Sequence, residues 1–310
     1  MKVLVTGGAG FLGGALANAL AGRHHAVYVL DDLSAGDRAV LDRRVLFTGG
    51  DVRDVPRLWR LLDDVDVVYH LAARVSVPES IRYPVEYNAV NTGGTVAVLT
   101  AARDAGVRRV VLASSGTVYG DQPQQPIPES AEPRPNNPYA VSKLAAEHYV
   151  RAIGQLYRIE TVILRIFNAY GPGQAVSPAH PPVIPHFLRQ VLSGGSVVLH
   201  GTPPGAQTRD FIFVDDVVDA LIRAGTVGGL SGMTLNIGSG SETSITAVVT
   251  ELERVTGRTA RTLTSPDQSG GVTRLCADIR AAREALDWRP TVDLHAGLGR
   301  LATAVRVGRA

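Results

Sequence analysis

A short apolar run, Val3-Leu4-Val5, breaks after Thr6 into Gly7-Gly8-Ala9-Gly10 and resumes with apolar residues at helical spacing, Phe11, Leu12, Ala15, Leu16, Ala19 and Leu20. The pattern predicts a strand, a tight turn and a helix. A helix that begins where a strand ends gathers its unpaired N–H groups and the positive end of its dipole at one point, and glycines let an anion reach that backbone. The glycines satisfy two spacings at once, Gly8-x-Gly10-x-x-Gly13 and Gly7-x-x-Gly10-x-x-Gly13. Glycines alone describe an ordinary turn just as well. The next strand-like run, residues 26–30, adds the second half of the signal. It ends in Asp31-Asp32, about 20 residues beyond the loop, where a carboxylate accepts from both hydroxyls of an adenosine ribose and repels a 2′-phosphate. Loop and acid together predict a dinucleotide site that prefers NAD to NADP.

Further strand-like runs fall at residues 45–47, 65–71, 110–114, 161–165 and 234–237, with helical patterns at 56–62, 87–105 and 139–157. Alternating strands and helices imply parallel pairing through right-handed crossovers, hence an α/β, doubly wound parallel (Rossmann) sheet with its ligand at the strands' carboxyl ends. A chain of 310 residues exceeds one ordinary domain. After Phe167-Asn168-Ala169-Tyr170-Gly171 the elements shorten and Pro and Gly multiply. The expected division is a dinucleotide-binding domain over 1–170, joined by a strand returning near 233–238, and a smaller C-terminal α/β substrate-binding lobe over 171–310.

Composition narrows the function. The net charge is +2 and the basic residues are scattered, which argues against nucleic acid or an anionic membrane as partner. The lone Cys276 excludes an internal disulfide framework and fits a reducing compartment. Met1-Lys2 precedes only a short apolar run, and no stretch of about 20 apolar residues offers a membrane span. The expected location is cytoplasmic, and no metal site is expected.

Functional residues should follow the strands. Asp51 follows one and can take an adenine amino group; Leu71, Ala72 and Ala73 are small enough at a strand end for close contact with a cofactor; Asn91, in a helical stretch, suits the bracing of loops. Residues 120–138 hold six prolines and are expected to form an extended loop bordering the site. Asn136-Asn137-Pro138 then opens a helix, with Asn as cap and Pro at the first position. On it Tyr139 and Lys143 stand four apart on one face.

A tyrosine works as a base near neutrality only if positive charge stabilises its phenolate, and a lowering of about 3 pH units asks for roughly 4 kcal/mol. A lysine ammonium and an oxidised nicotinamide ring both supply such charge. Lys143 is one of only two lysines, with Lys2, among 31 basic residues. Arginine's broad fork cannot act as a compact point donor, so lysine at 143 fits a chemical role. Ser115 leaves a strand at the same sheet edge and is placed to hydrogen-bond a reacting hydroxyl and pass its proton to Tyr139.

These segments resemble the extended short-chain dehydrogenases/reductases, most closely the UDP-glucose 4-epimerase branch of NAD-dependent nucleotide-sugar enzymes. The likeness runs through Thr6–Gly13, Asp31-Asp32, Gly50-Asp51-Val52, His70–Ala73, Ser114–Gly120, Tyr139-x-x-x-Lys143, Arg165-Ile-Phe-Asn168, Arg209-Asp-Phe211 and Ala277-Asp278. It implies that Gly7, Gly10, Phe11, Leu12, Gly13, Asp31, Asp32, Ser34, Asp51, Val52, Leu71, Ala72, Ala73, Asn91 and Phe167, with Tyr139 and Lys143, surround NAD. It implies Ser115, Tyr139 and Lys143 at the chemistry, and Asn168, Val183 and Arg209, with Ser115 and Tyr139, on a nucleotide-diphosphate sugar, first of all a UDP-hexose. It also implies a homodimer built through two helices of the first lobe.

Related 4,6-dehydratases carry an Asp-Glu pair at Gly116-Thr117, and related decarboxylases a Glu at Thr117. Their absence leaves oxidation at C4 and return of hydride to the other face, a C4 epimerisation through a 4-keto sugar. A 4-ketoreductase or dehydrogenase, distinguished by net use of cofactor, is the rival enzyme; a dinucleotide-sensing protein without catalysis is the rival of another class. The chain departs from the epimerases at Gln268-Ser269-Gly270-Gly271, at Pro182 and at Leu275, with Arg274, His180, His186 and His200 as candidate compensating contacts. A uronic acid calls for a cation near C6, and Gly173-Gln174-Ala175-Val176 offers none.

Overall fold

In the computed structural model, which describes residues 1–176, 181–201, 203–265 and 272–308, the opening pattern forms β1 (Lys2–Thr6) and α1 (Phe11–Gly22). There follow β2 (Ala26–Asp31), β3 (Leu46–Gly49), α2 (Val55–Leu61), β4 (Val67–His70), α3 (Val77–Arg82), α4 (Pro84–Tyr87), α5 (Gly94–Asp104) and β5 (Arg109–Ser115). The long α6 (Pro138–Tyr157) leads to β6 (Glu160–Ile166) and β7 (Asn168–Tyr170). The remainder comprises α7 (Val183–Ser193), β8 (Ser196–His200), β9 (Thr208–Arg209), β10 (Phe211–Phe213), α8 (Val214–Thr226), β11 (Met233–Ile237), β12 (Thr243–Ser244), α9 (Ile245–Thr256), β13 (Arg261–Ser265), α10 (Arg280–Leu286) and α11 (Leu294–Arg306).

Seven strands form one sheet in the order β11-β6-β5-β4-β1-β2-β3, and every pairing is parallel. The order reverses between β1 and β4, where the crossovers leave toward opposite sides and open a crevice at the strand ends. Consecutive β1 residues face different cores: Val3 and Val5 join an apolar cluster that extends to Leu298 and Leu301, while Leu4 joins a second with Leu30, Val98 and Ile163. Both faces are therefore covered, which is why the strands read as unbroken apolar runs. Three small two-stranded sheets pair β7 with β10, β9 with β12 and β8 with β13, and an isolated parallel bridge joins Ile127 to Ala277.

Two segments depart from the simplest sequence expectation. The helical pattern over 87–105 is interrupted by a π-helical turn, Asn88–Gly93, between α4 and α5. There Asn91 turns inward: Oδ1 accepts from the Arg74 amide at 2.8 Å, and Nδ2 donates to the Arg74 carbonyl at 3.0 Å and to Ser142 Oγ at 2.9 Å. The proline-rich loop before α6 is strapped to a distant segment. Ile127 donates its amide to the Cys276 carbonyl at 2.8 Å and accepts from the Asp278 amide at 3.0 Å. Gln125 Oε1 accepts from the Cys276 amide at 2.8 Å, and Asn236 Nδ2 in β11 donates to the Ile127 carbonyl at 2.9 Å. Among the described residues no helix is long and apolar enough to cross a membrane, and no group of three or more His, Cys, Asp or Glu could hold a metal ion.

Candidate active site

The glycine turn is shaped by close backbone approach. Gly7 takes φ +68°, and a Cβ there would stand 2.6 Å from the Ala72 nitrogen; at Gly13 a Cβ would stand 2.0 Å from the Gly7 carbonyl oxygen. Gly10 caps α1 without any side-chain hydrogen bond, so the first-turn N–H groups are left for an incoming acceptor. Phe11 and Leu12 open that turn, half-buried against the first apolar cluster. At the end of β2, Asp31 Oδ2 accepts from the Ala9 amide at 2.9 Å and Oδ1 from the Leu33 amide at 2.8 Å. Each carboxylate oxygen retains a lone pair for a ribose hydroxyl. Asp32 is exposed and accepts from the Ser34 amide and hydroxyl at 2.9 and 2.6 Å. These residues fit a dinucleotide: a cradle that side chains would fill, an uncapped helix start, and an oriented acid.

Asp51, expected at the adenine, is more engaged than the sequence suggested. Asp51 is chelated by Arg53, Nε at 2.9 Å and Nη2 at 2.6 Å, and those hydrogen bonds hold its carboxyl below the usual range. Val52 is buried against Gly94, where a Cβ would meet it at 2.7 Å. Leu71 donates its amide to the Thr6 carbonyl at 3.1 Å, which draws the Leu71-Ala72-Ala73 strand end over the glycines. Beside it, the Phe167 ring lies under Gly116, where a Cβ would come within 3.0 Å of it.

Ser115, Tyr139 and Lys143 are all buried where β5 meets the start of α6. Asn137 caps that helix, its side chain accepting from the Ala140 amide at 2.9 Å, and Pro138 occupies the first turn. Ser115 Oγ accepts from the Thr117 hydroxyl at 2.9 Å. Lys143 Nζ donates to the Ala113 carbonyl at 2.6 Å. Burial pushes the Tyr139 phenol above its ordinary 10.0, and the Ser115 hydroxyl draws it back. The reason is desolvation, which favours the neutral phenol and the neutral amine alike. It brings Lys143 down to about 8, with Glu147 drawing it back up.

A second set of groups follows β6. Asn168 pairs with Phe211 across β7 and β10, which brings Arg209 alongside. Asn168 Oδ1 is buried without a hydrogen-bond partner. Arg209 Nη1 donates to the Thr208 carbonyl at 2.7 Å, and the guanidinium makes no ion pair among the described residues; burial pulls its pKa down, opposed by Asp121. A desolvated guanidinium without a counter-charge suits an anionic ligand. Val183 begins α7 after Pro182, again with no side-chain cap.

Of the candidate compensating residues, Arg274 is held by Glu242 in a two-pronged ion pair at 2.7 Å, His186 is half-buried on α7, and His200 has a buried Nδ1 with no partner. Leu275 is buried, whereas His180 and 268–271 lie outside the described residues. Two groups escaped the sequence reading. Asp210, beside Arg209, accepts from the Ser239 amide and hydroxyl, both at 2.6 Å, and from the Gly240 and Ala277 amides at 3.0 and 3.1 Å, which locks the segment between β9 and β10 to its neighbours. Glu147 continues the fourfold spacing of Tyr139 and Lys143 into the core, a regularity visible in the sequence.

A parallel doubly wound sheet with a dinucleotide cradle and a buried Ser-Tyr-Lys set defines a class of nicotinamide-dependent enzymes. The chain belongs to the NAD dependent epimerase/dehydratase family, which it matches over residues 3–238. Within that family it is a nucleotide-sugar 4-epimerase, like UDP-glucose 4-epimerase. It is 37% identical over 307 residues to the UDP-glucose 4-epimerase of Mycolicibacterium smegmatis, covering 97% of each chain. A crystal structure of UDP-glucose 4-epimerase with UDP-glucose from Thermotoga maritima superimposes with TM-score 0.95 at 32% identity, covering 99% of both chains. The UDP-N-acetylglucosamine 4-epimerase of Methanobrevibacter ruminantium, in complex with UDP-N-acetylmuramic acid, gives TM-score 0.92 at 30% identity, covering 99% of this chain and 98% of that one.

Proposed function

We propose that the protein inverts C4 of a UDP-hexose, with UDP-glucose and UDP-galactose as the interconverted pair, through a transient 4-keto sugar. The observation that carries this reading is the buried Ser115, Tyr139 and Lys143 set beside a turn, Gly116-Thr117, that holds no carboxylate for elimination or decarboxylation. NAD, when bound, supplies the acceptor and donor of the C4 hydride and a positive charge beside the phenol. Gly7, Gly10, Phe11, Leu12 and Gly13 would hold its diphosphate, Asp31, Asp32 and Ser34 its ribose side, Asp51 and Val52 its adenine, and Leu71, Ala72, Ala73, Asn91 and Phe167 the strand-end wall around it.

Tyr139 takes the C4 hydroxyl proton and later returns it. Ser115, oriented by the Thr117 hydroxyl, hydrogen-bonds the same substrate oxygen. Lys143, as an ammonium, favours the phenolate. Arg209, Asn168 and the uncapped start of α7 at Val183 hold the diphosphate side, so the hexose can present its other face while the nucleotide stays fixed. In this reading residues 1–170, with the strand near 233–238, carry NAD, and 171–310 carry the sugar nucleotide. Exposed apolar side chains on α3, α4 and α6, among them Ile81, Val85, Val141 and Tyr149, support a homodimer through that face.

The decisive experiment incubates the purified protein with UDP-, TDP-, CDP- and GDP-hexoses and reads product stereochemistry by NMR. C4 inversion of a UDP-hexose without added reductant is expected, and Tyr139→Phe is expected to slow it by about 10²- to 10⁴-fold. Net consumption of NADH or NAD⁺ instead of inversion identifies a ketoreductase or dehydrogenase and rejects the proposal.

A further inference from the structure

The face of α6 that presents Tyr139 and Lys143 continues to Glu147, which is completely buried. Its Oε1 accepts from the Ser114 hydroxyl at 2.6 Å and from Arg165 Nε at 2.9 Å; its Oε2 accepts from Arg165 Nη2 at 2.7 Å and Arg151 Nη2 at 2.8 Å. Three successive β5 residues thus meet three α6 residues spaced four apart. The Ala113 carbonyl holds Lys143, the Ser114 hydroxyl holds Glu147, and Ser115 lies beside Tyr139. A site needing cohesion alone is served as well by apolar residues, because removing a carboxylate and its guanidinium partner from water is costly.

The charged and titratable groups around Lys143 are few. On α6 they are Tyr139, Glu147 and, through Glu147, Arg151. On β4 it is His70, hydrogen-bonded to Thr6 and Thr95 and held neutral, its pKa lowered to about 3 by burial and then by Lys143 itself. On β6 it is Arg165, which stacks over the Tyr119 ring at 4.7 Å. Among these described groups Glu147 is the one anion.

We propose that Glu147 is a positioning residue for the proton transfer: it acts through Lys143, holding it as an ammonium against Tyr139, and through Ser114 it fixes the register that sets Ser115 beside the phenol. The inference rests on Tyr139 and Lys143 being the reacting pair. Burial pulls the Lys143 amine toward neutrality, and the Glu147 charge is what opposes it.

Because Lys2 and Lys143 are the only lysines in the chain, labelling lysine with ¹³C at Cε gives two resonances, and Lys143 can be titrated directly in the intact protein. Glu147→Gln is expected to lower the Lys143 midpoint by about 1 pH unit, since the buried anion one helical turn along α6 is lost. Arg151→Gln removes a partly exposed cation from the same carboxylate and is expected to raise the midpoint by about 0.3 pH unit. Glu147→Asp keeps the charge and is expected to restore most of the wild-type midpoint. The bell-shaped pH profile of kcat for C4 inversion follows, downward in pH for Glu147→Gln and upward for Arg151→Gln, with KM unchanged. If both variants lose stability but leave the Lys143 midpoint and the bell in place, Glu147 serves cohesion alone and the inference falls. Should Glu147→Gln fail to fold, the sign of the Arg151→Gln shift decides. Since the lysine signal is read without turnover, a wild-type protein that inverts no UDP-hexose overturns the proposed function, whereas unmoved midpoints overturn the role of Glu147.

Discussion

Burial brings the Lys143 amine down to about 8 in the fold, against 10.5 for an exposed lysine, because desolvation favours its neutral form. Below about 8 both folded and unfolded chains carry the proton, and the cost of burying the charge is constant. Between about 8 and 10.5 the unfolded chain binds more protons, so stability rises with pH across that window. The unfolding free energy of the wild type, relative to Lys143→Met, is therefore expected to climb by as much as about 3 kcal/mol from pH 7 to pH 10.5 in urea titrations. Arg209 is a second desolvated cation, a guanidinium with only carbonyl partners among the described residues. Arg209→Met is expected to leave the melting temperature within a few degrees of wild type, yet to weaken UDP binding by about 2 kcal/mol in calorimetry. An unchanged UDP affinity removes Arg209 from the diphosphate.

At the scale of elements, the β1–α1 turn and the β5–α6 seam behave differently toward substitution. In the turn, space is the constraint. Gly13→Ala drives a methyl into the Gly7 carbonyl, and neither backbone can retreat without opening the cradle. Gly22, at the other end of the same helix, has nothing within 4 Å of its would-be methyl. Gly13→Ala is expected to lose at least about 2 kcal/mol of stability along with NAD retention, and Gly22→Ala to be neutral or stabilising by up to about 1 kcal/mol. Chemical denaturation, with bound NAD read by absorbance after release, separates the two. At the β5–α6 seam the constraint is register. Three consecutive strand residues, Ala113, Ser114 and Ser115, meet Lys143, Glu147 and Tyr139, and a slip of either element breaks all three partnerships together.

Across the whole molecule, the proline-rich loop before α6 acts as a strap. It follows strand β5, which ends in Ser115, reaches the segment at 274–278 through Gln125 and Ile127, and returns to start the helix that carries Tyr139. Asp210 and Asn236 tie into the same segment, so the β9–β10 region and the seven-stranded sheet share one hydrogen-bonded junction. Gln125→Ala leaves the Cys276 amide without its partner, and a loss of about 1–3 kcal/mol is expected in urea unfolding. If the strap sets the position of the sugar side, KM for the sugar nucleotide rises while NAD affinity stays unchanged. A Gln125→Ala protein with both constants at wild-type values shows that the strap is dispensable for the site.

Local chemistry is what the sequence by itself determined. The glycine spacing, the acid after the second strand, the alternation of strands and helices, and Tyr139 with Lys143 on one helix face all depend on residues near one another along the chain, where backbone sterics and periodicity act directly. Tertiary structure alone decided which polar groups went unpaired and which became charged hubs. Asn168 Oδ1 is buried without a partner at the start of β7, and Arg209 in β9 meets only carbonyls among the described residues. Glu147 is buried because Arg165 arrives from β6, and the Tyr139 phenol is raised because α6 closes over β5. Burial and electrostatic pairing depend on surfaces brought together from far along the chain, and no local pattern encodes how much water is left between them.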